Sequence, residues 1–324
     1  MRTVLVGLLL TAGALSADWS SLYDAKELES QRPHLTNDIN QVVAQEVQPF
    51  LTDSQALAFS KIQIDFPIMA DPSPNPFDFF SVHEGRIILP LLTVQFIEDM
   101  SEAYSWLWAN RYSSLTVDEY LGMLGNRVPG DFPGSRYPAP LVALHIPSNG
   151  MENSVVANMA KRVRATTFAF IILHEFGHLS YRTAAAQSIG KRDKIAGDEE
   201  IADAFALDIM KKNSEPPAGL LMLIHGLLYL PSVPPKDHPV TVQRLRAMAD
   251  FLDGKVREFV EGRPDRRLAF IAIESLANHI RRSAGFLSDT TGQRLWSEDS
   301  SKRTVSDLAP RRVGEEPTPH KGPA

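Results

Sequence analysis

The chain has 324 residues, 44% hydrophobic and 22% charged, with 33 Lys and Arg against 39 Asp and Glu for a formal net charge of −6. These fractions are those of a foldable globular chain, and they exclude collagen-like, coiled-coil and wholly disordered readings. The acidic balance gives no electrostatic reason to approach nucleic acid or an anionic membrane. Cysteine is absent, so disulfide scaffolds and thiol catalysis are out and any metal must be held by His, Asp or Glu.

The first residues read as an export signal. Met1-Arg2 supplies a short positive region, Thr3 to Leu15 carries no charge, and small residues around Ser16 and Ala17 suit cleavage. A bilayer span needs about 20 apolar residues, and Asp18 arrives too soon for one. The expected layout is a signal peptide over 1–16, one domain over 17–287 and a disordered tail over 288–324, the tail being polar and poor in apolar residues. The expected mature chain is periplasmic or secreted, with no integral membrane span.

Apolar residues Ile39, Val42, Val43 and Val47 recur at helical spacing, which predicts a first helix from Asn37 to Gln48, ended by Pro49. Ile62, Ile64 and Phe66 alternate in a short strand over Lys61 to Pro67, and Asp71 to Pro76 is a turn-rich break. A strand around Arg86 to Leu89 and a helix from Thr93 to Asn110 follow. Gly125 to Pro140 holds three glycines and four prolines, which predicts an irregular loop leading into a compact strand at Leu141 to Ile146. The second half reads as helices: Val155 to about Tyr181, Asp198 to about Lys212 with Asp198 as N-cap, Gly219 to Leu230, Pro239 to Leu252, and Arg266 to Ile280. Strands early and helices late suggest an α+β domain.

Chemistry concentrates in two of these helices. The run from Thr166 to Leu173 is apolar on nearly every side, so its helix is a buried one. His174, Glu175 and His178 follow directly, and burying them without partners would cost several kcal/mol. A divalent cation suits all three. His174 and His178, four apart, share one helical face and can offer imidazole nitrogens to one ion. Glu175 falls about 100° further round, beside that ion, where a base for an activated water belongs. Catalytic zinc commonly takes three protein ligands. Glu199 is the best third, with Glu200 as the alternative. Asp203, one turn beyond Glu199, can accept the second ring N–H of a ligand histidine, and Ala202 and Ala206 beside it permit close helix approach.

The pattern His174-Glu175-Phe176-Gly177-His178, followed 21 residues later by Glu199-x-x-Ala202-Asp203-Ala204-Phe205-Ala206, resembles the gluzincin metallopeptidases, above all the HtpX-like and CAAX-prenyl-endopeptidase group. Pro74-Asn75-Pro76-Phe77 and the segment from Gly85 to Leu92 resemble that group's Pro-Asn-Ala-Phe loop and the strand after it. His238-Pro239 with Arg244 resembles its His-Pro-x-x-x-x-Arg ending. The stretch between Trp106 and Met151 is longer than the family core needs, and the membrane spans of those relatives are missing, so a soluble exported relative is the closer picture.

The resemblance implies a bipartite zincin-like domain, mostly helical, with a small sheet above the motif helix. A peptide would lie as an added strand along that sheet's edge, for which Leu141 to Ile146 and Ile87 to Leu89 are the candidates. It implies one Zn2+ per chain on His174, His178 and Glu199, with Glu175 as general base in peptide-bond hydrolysis. His238, Tyr229 and Arg244 are candidates for an additional oxyanion donor. The substrate expected is a protein or peptide of the exported compartment. The competing expectation, of another class, is a catalytically idle zincin-like binding or chaperone module. His225 and His145 read as core histidines, and His34, His83 and His320 sit in polar surroundings that suggest nothing.

Overall fold

The computed structural model describes residues 19–69, 75–77, 79–82, 84–185, 195–213, 215–230 and 238–314. The expected signal segment and the end of the expected tail, 315–324, lie outside these residues, as does most of the Asp71 to Pro76 break. No helix among the described residues is long and apolar enough to cross a membrane.

Helix α1 runs from Ala25 to Val42, starting twelve residues before the predicted helix. Asp24 caps it by accepting from the backbone N–H groups of Lys26 and Glu27 at 2.8 and 3.2 Å. Its buried stripe is Leu28, Leu35, Ile39 and Val42; charged flanks and Pro33 hide the first half of that stripe from a periodicity count. A wide turn at Val43–Val47 and a tight one at Gln48–Phe50 lead to α2 (Asp53–Phe59).

Three short strands follow: β1 (Gln63–Asp65), β2 (Phe80–Val82) and β3 (Arg86–Ile88). Their spatial order is β1-β3-β2, with β3 parallel to β1 and antiparallel to β2. Two expectations therefore need correction. The strand through Ile87 is the middle of the sheet, paired on both sides, and cannot be the free edge. Leu141 to Ile146 is no strand: α5 (Pro140–Ala143) forms there with Pro140 in its first turn, and the chain then reverses through His145 at φ 53°. An apolar run this short reads equally well as a buried helical turn, and proline at the first helical position tips it that way. The edge nearest the motif helix is β2.

Helices α3 (Leu91–Ala109) and α4 (Leu115–Asn126) precede α5. The long α6 (Ser154–Ala185) is the hub, packing on α3, on α7 (Ile195–Met210), on α8 (Leu220–Tyr229) and on β2 and β3. Asp198 lies within the first turn of α7 and does not cap it. Phe168 to Leu173 are buried throughout, as an all-round apolar helix requires. Gly177 lets α7 come close: a Cβ there would sit 3.2 Å from Ala202 Cα. The remaining helices are α9 (Val242–Phe259), α10 (Arg266–Ser288), which pairs with α9, and α11 (Thr290–Ser300). The architecture is α+β and mostly helical, with one small sheet.

The disordered tail expected from residue 288 is corrected by α11 and the turn Val305–Leu308. Asp289 caps α11 through the Gly292 N–H at 2.9 Å. Arg303 and Arg311 then close on Glu119 of α4, which is 1% exposed. The polar residues that suggested a solvated tail are spent on a buried carboxylate.

Candidate metal centre

Helix α6 places His174 and His178 one turn apart, and α7 brings Glu199 opposite them. His178 Nε2 lies 3.0 Å from His174 Nε2 and 3.0 Å from Glu199 Oε1, and His174 Nε2 is 3.4 Å from Glu199 Oε2. His238, from the segment ahead of α9, joins them: its Nδ1 is 3.2 Å from His174 Nε2 and 3.3 Å from Glu199 Oε2. These four side chains each offer one ligand atom, and all such atoms lie within 4.8 Å of one another. Tetrahedral zinc with bonds near 2.0–2.1 Å needs donors about 3.3 Å apart, so nitrogen and carboxylate donors at this spacing fit such an ion. All four residues are buried or nearly so, and three are at most 4% exposed. A buried set of two imidazoles and a carboxylate facing one point is costly without a shared cation.

The surroundings orient the donors. His174 Nδ1 stands 2.9 Å from Asp203 Oδ1, one turn along α7 from Glu199. Arg244 of α9 grips Asp203 with two nitrogens at 2.6 and 2.8 Å, and its Nη1 reaches Glu199 Oε2 at 2.8 Å and the Pro239 carbonyl at 3.3 Å. Its donors are thus committed to holding the acids. Burial pushes the Asp203 carboxyl up, but the Arg244 charge and His174 outweigh it and leave it lowered. For Glu199, burial is likewise outweighed, by hydrogen bonds from His174, His178 and His238, and the group is held well below the usual carboxylate range. Burial lowers His174, whereas hydrogen bonds to Asp203 and Glu199 raise it overall.

Glu175 is 0% exposed, and neither of its oxygens makes a hydrogen bond of good geometry. Its Oε1 is 3.0 Å from His238 Nε2, but that N–H bonds to the Phe79 carbonyl at 3.1 Å. Burial raises the Glu175 carboxyl, and the facing charges of His238, His174 and His178 more than reverse this, bringing it to about 2. It is therefore a carboxylate at neutral pH, set beside the cluster with Oε1 against His238 Nε2. His238 is lowered by burial and raised more by Glu175 and Glu199, to about 10.

The structure brings His174, Glu175, His178, Glu199, Asp203, His238 and Arg244 together. Tyr229 is elsewhere: its ring packs against His225, Phe286 and Trp296, none of them a member of the cluster. Glu200 lines a small cleft with Asp203, Ala204, Leu207, Arg244 and Phe251 and is not among the four grouped donors. His225 is held by Asp118 at 2.5 Å. His238, read from sequence as a donor to the reaction, stands here as a fourth candidate ligand. Phe79 was missed altogether. A second grouping, His34 with Asp38 and Glu98, is bridged by Arg164, whose Nη1 is 2.7 Å from each carboxylate, so a guanidinium already sits between its two acids.

Residues 136–262 match the family model for Peptidase U49, a peptidase family. The matched stretch spans α6, α7, α8 and α9, and so contains the whole cluster. No curated protein and no solved structure matches the chain.

Proposed function

We propose that the protein is a zinc-dependent endopeptidase of gluzincin type, resembling the HtpX-like group, that cleaves exported proteins with Glu175 as general base. The observation that carries this is the convergence of His174, His178, Glu199 and His238 with a buried, ionised Glu175 beside them. The match of this region to a peptidase family supports the same reading. His174, His178, Glu199 and His238 would hold a divalent cation, which would supply Lewis acidity to the reaction.

In this reading Glu175 takes the proton from the water that attacks the scissile carbonyl and passes it to the leaving amine nitrogen, so that water and amide become acid and amine. Asp203 fixes the His174 ring through Nδ1 and leaves Nε2 for the centre. Arg244 keeps both acids in place. His238 presents Nδ1 to the same point, 3.2 Å from His174 Nε2 and 3.3 Å from Glu199 Oε2. A peptide substrate would pair with the outer side of β2, the edge strand next to α6. The reading of residues 1–16 as an export signal puts these substrates in the periplasm or outside the cell.

The test is zinc analysis of the purified chain together with cleavage of an unstructured protein substrate by the parent and by Glu175→Gln. Expected are about one zinc per chain in both and turnover lowered about 100- to 10,000-fold in the variant, the range that removing a catalytic base spans. Equal cleavage by the two proteins would remove Glu175 from its role. Zinc in both with cleavage in neither would favour the idle binding module.

A further inference from the structure

A histidine placed at the tip of a loop can face a centre with either ring nitrogen, because a half-turn about the Cβ–Cγ bond exchanges the two sides of the ring. For His238 the choice is made: Nδ1 faces His174 and Glu199, and Nε2 lies between the Phe79 carbonyl and Glu175 Oε1, which is 3.0 Å away. Of the two residues that face Nε2, Phe79 makes two contacts with the ring. Its carbonyl accepts the Nε2–H at 3.1 Å, and its ring stacks on the imidazole with centroids 5.1 Å apart and planes 24° from parallel.

We propose that Phe79 is a positioning residue for His238, fixing Nδ1 as the nitrogen that faces the metal-binding cluster and tying that orientation to the edge strand β2. Phe79 is itself immobilised from both sides. It is 4% exposed, and β2, paired along β3, begins at the next residue. Behind it, the Asn75 amide donates to the Leu230 carbonyl at 2.6 Å and accepts the Phe77 N–H at 2.8 Å. The Phe77 ring is seated against Gly226, where any Cβ would lie 2.1 Å from a ring carbon, and edge-on to Phe96. A carbonyl held this firmly selects the protonated nitrogen, and a stacked ring fixes the imidazole plane. A hydrogen bond alone would leave the plane free to rotate about its own axis.

On the peptidase reading, which this consequence rests on, a peptide paired along β2 shares a backbone with the residue that orients His238. Correct seating of substrate and correct aim of the imidazole become one event, felt in kcat more than in KM.

Histidine-ring signals of the zinc-loaded, 15N-labelled full chain decide the matter, His238 being assigned by the loss of its signals in His238→Asn. In the parent, His238 is expected as one species protonated at Nε2. Phe79→Leu keeps the carbonyl and most of the bulk but removes the stacked ring; it is expected to give mixed or exchange-broadened His238 signals with those of His174 and His178 unmoved. Phe79→Tyr restores the parent pattern. With a cleavable substrate, Phe79→Leu lowers kcat about tenfold, on the order of a small misplacement of a reacting group, with KM within about twofold. A parent-like His238 in Phe79→Leu overturns the proposal, and so does a joint shift of all three histidines, which reports loss of packing instead. If the chain takes up no zinc and Glu175→Gln changes nothing, the peptidase reading fails alone. The orientation of His238 against Phe79 in the metal-free chain then still decides this proposal.

Discussion

Arg244 is 4% exposed and makes three short contacts to two acids, a geometry that depends on the guanidinium plane. Lysine carries the same charge as a point and cannot span Asp203 and Glu199 together. Arg244→Lys is therefore expected to weaken zinc binding about 10–100-fold, the usual effect of disturbing the groups that orient metal ligands, as read by competition with a chromophoric chelator while the far-ultraviolet circular dichroism is unchanged. Affinity equal to the parent would mean that the acids hold their places unaided. Asp99 of α3 poses a different question. It is 8% exposed, and burial pushes its carboxyl up to about 6 despite hydrogen bonds from Tyr23 at 2.8 Å and Gln95 at 2.7 Å. The folded chain holds the Asp99 proton more tightly than the unfolded chain. Its contribution to stability is complete below about pH 4 and is lost as pH rises through 6, a difference of up to about 3 kcal/mol. Asp99→Asn should raise the melting temperature at pH 7.5 and lose that advantage near pH 4; a gap that is constant across this range would refute the titration. At this scale the sequence showed His174, Glu175 and His178 because an i, i+4 pair in an apolar helix has few other readings. It could not show Phe79, whose contribution is partly a backbone carbonyl, a group every residue carries.

Among the elements, α3, α6, α8 and α10 were legible because long stretches with helical period leave little choice. The sheet was not legible, since three-residue strands carry too few side chains to express a period of two. Which strand forms the edge depends on pairing between segments far apart in sequence. The join between α8 and the segment ahead of β2 is just as invisible, because it turns on what Gly226 lacks. A Cβ at Gly226 would stand 2.1 and 2.2 Å from two Phe77 ring carbons, whereas one at Gly254 in α9 would meet nothing within 4 Å. Gly226→Ala is expected to cost about 1–3 kcal/mol by overpacking. Gly254→Ala should stabilise by about 0.5–1 kcal/mol through helix propensity alone. Urea denaturation of the two variants supplies the contrast, and a Gly226→Ala chain no less stable than the parent would show that the Asn75 to Phe79 segment yields easily.

The molecule as a whole is closed by its C-terminal part, where the expectation of disorder failed for an identifiable reason. Composition registers how polar a segment is, but not whether a buried partner of opposite charge awaits it. Glu119, 1% exposed in α4, receives Arg303 at 3.1 Å on one oxygen and Arg311 on the other. Further ties follow the same path. Ser113 N–H donates to the Arg311 carbonyl at 2.7 Å, Val313 N–H to the Arg111 carbonyl at 3.2 Å, and the His145 ring meets the Val305 carbonyl at 3.0 Å. Removing both guanidinium groups while leaving the acid buried strands a charge, which typically costs about 3–5 kcal/mol. The double variant Arg303→Gln, Arg311→Gln should lose stability on that scale. Adding Glu119→Gln should recover most of it, because a neutral amide can share hydrogen bonds with the new glutamines. Chemical denaturation of the parent, the double and the triple variant reads this directly. Recovery in the triple variant identifies the stranded carboxylate as the cause. Equal losses in the double and triple variants would instead assign the strap's grip to its backbone hydrogen bonds and to buried Leu308, with the ion pairs contributing little.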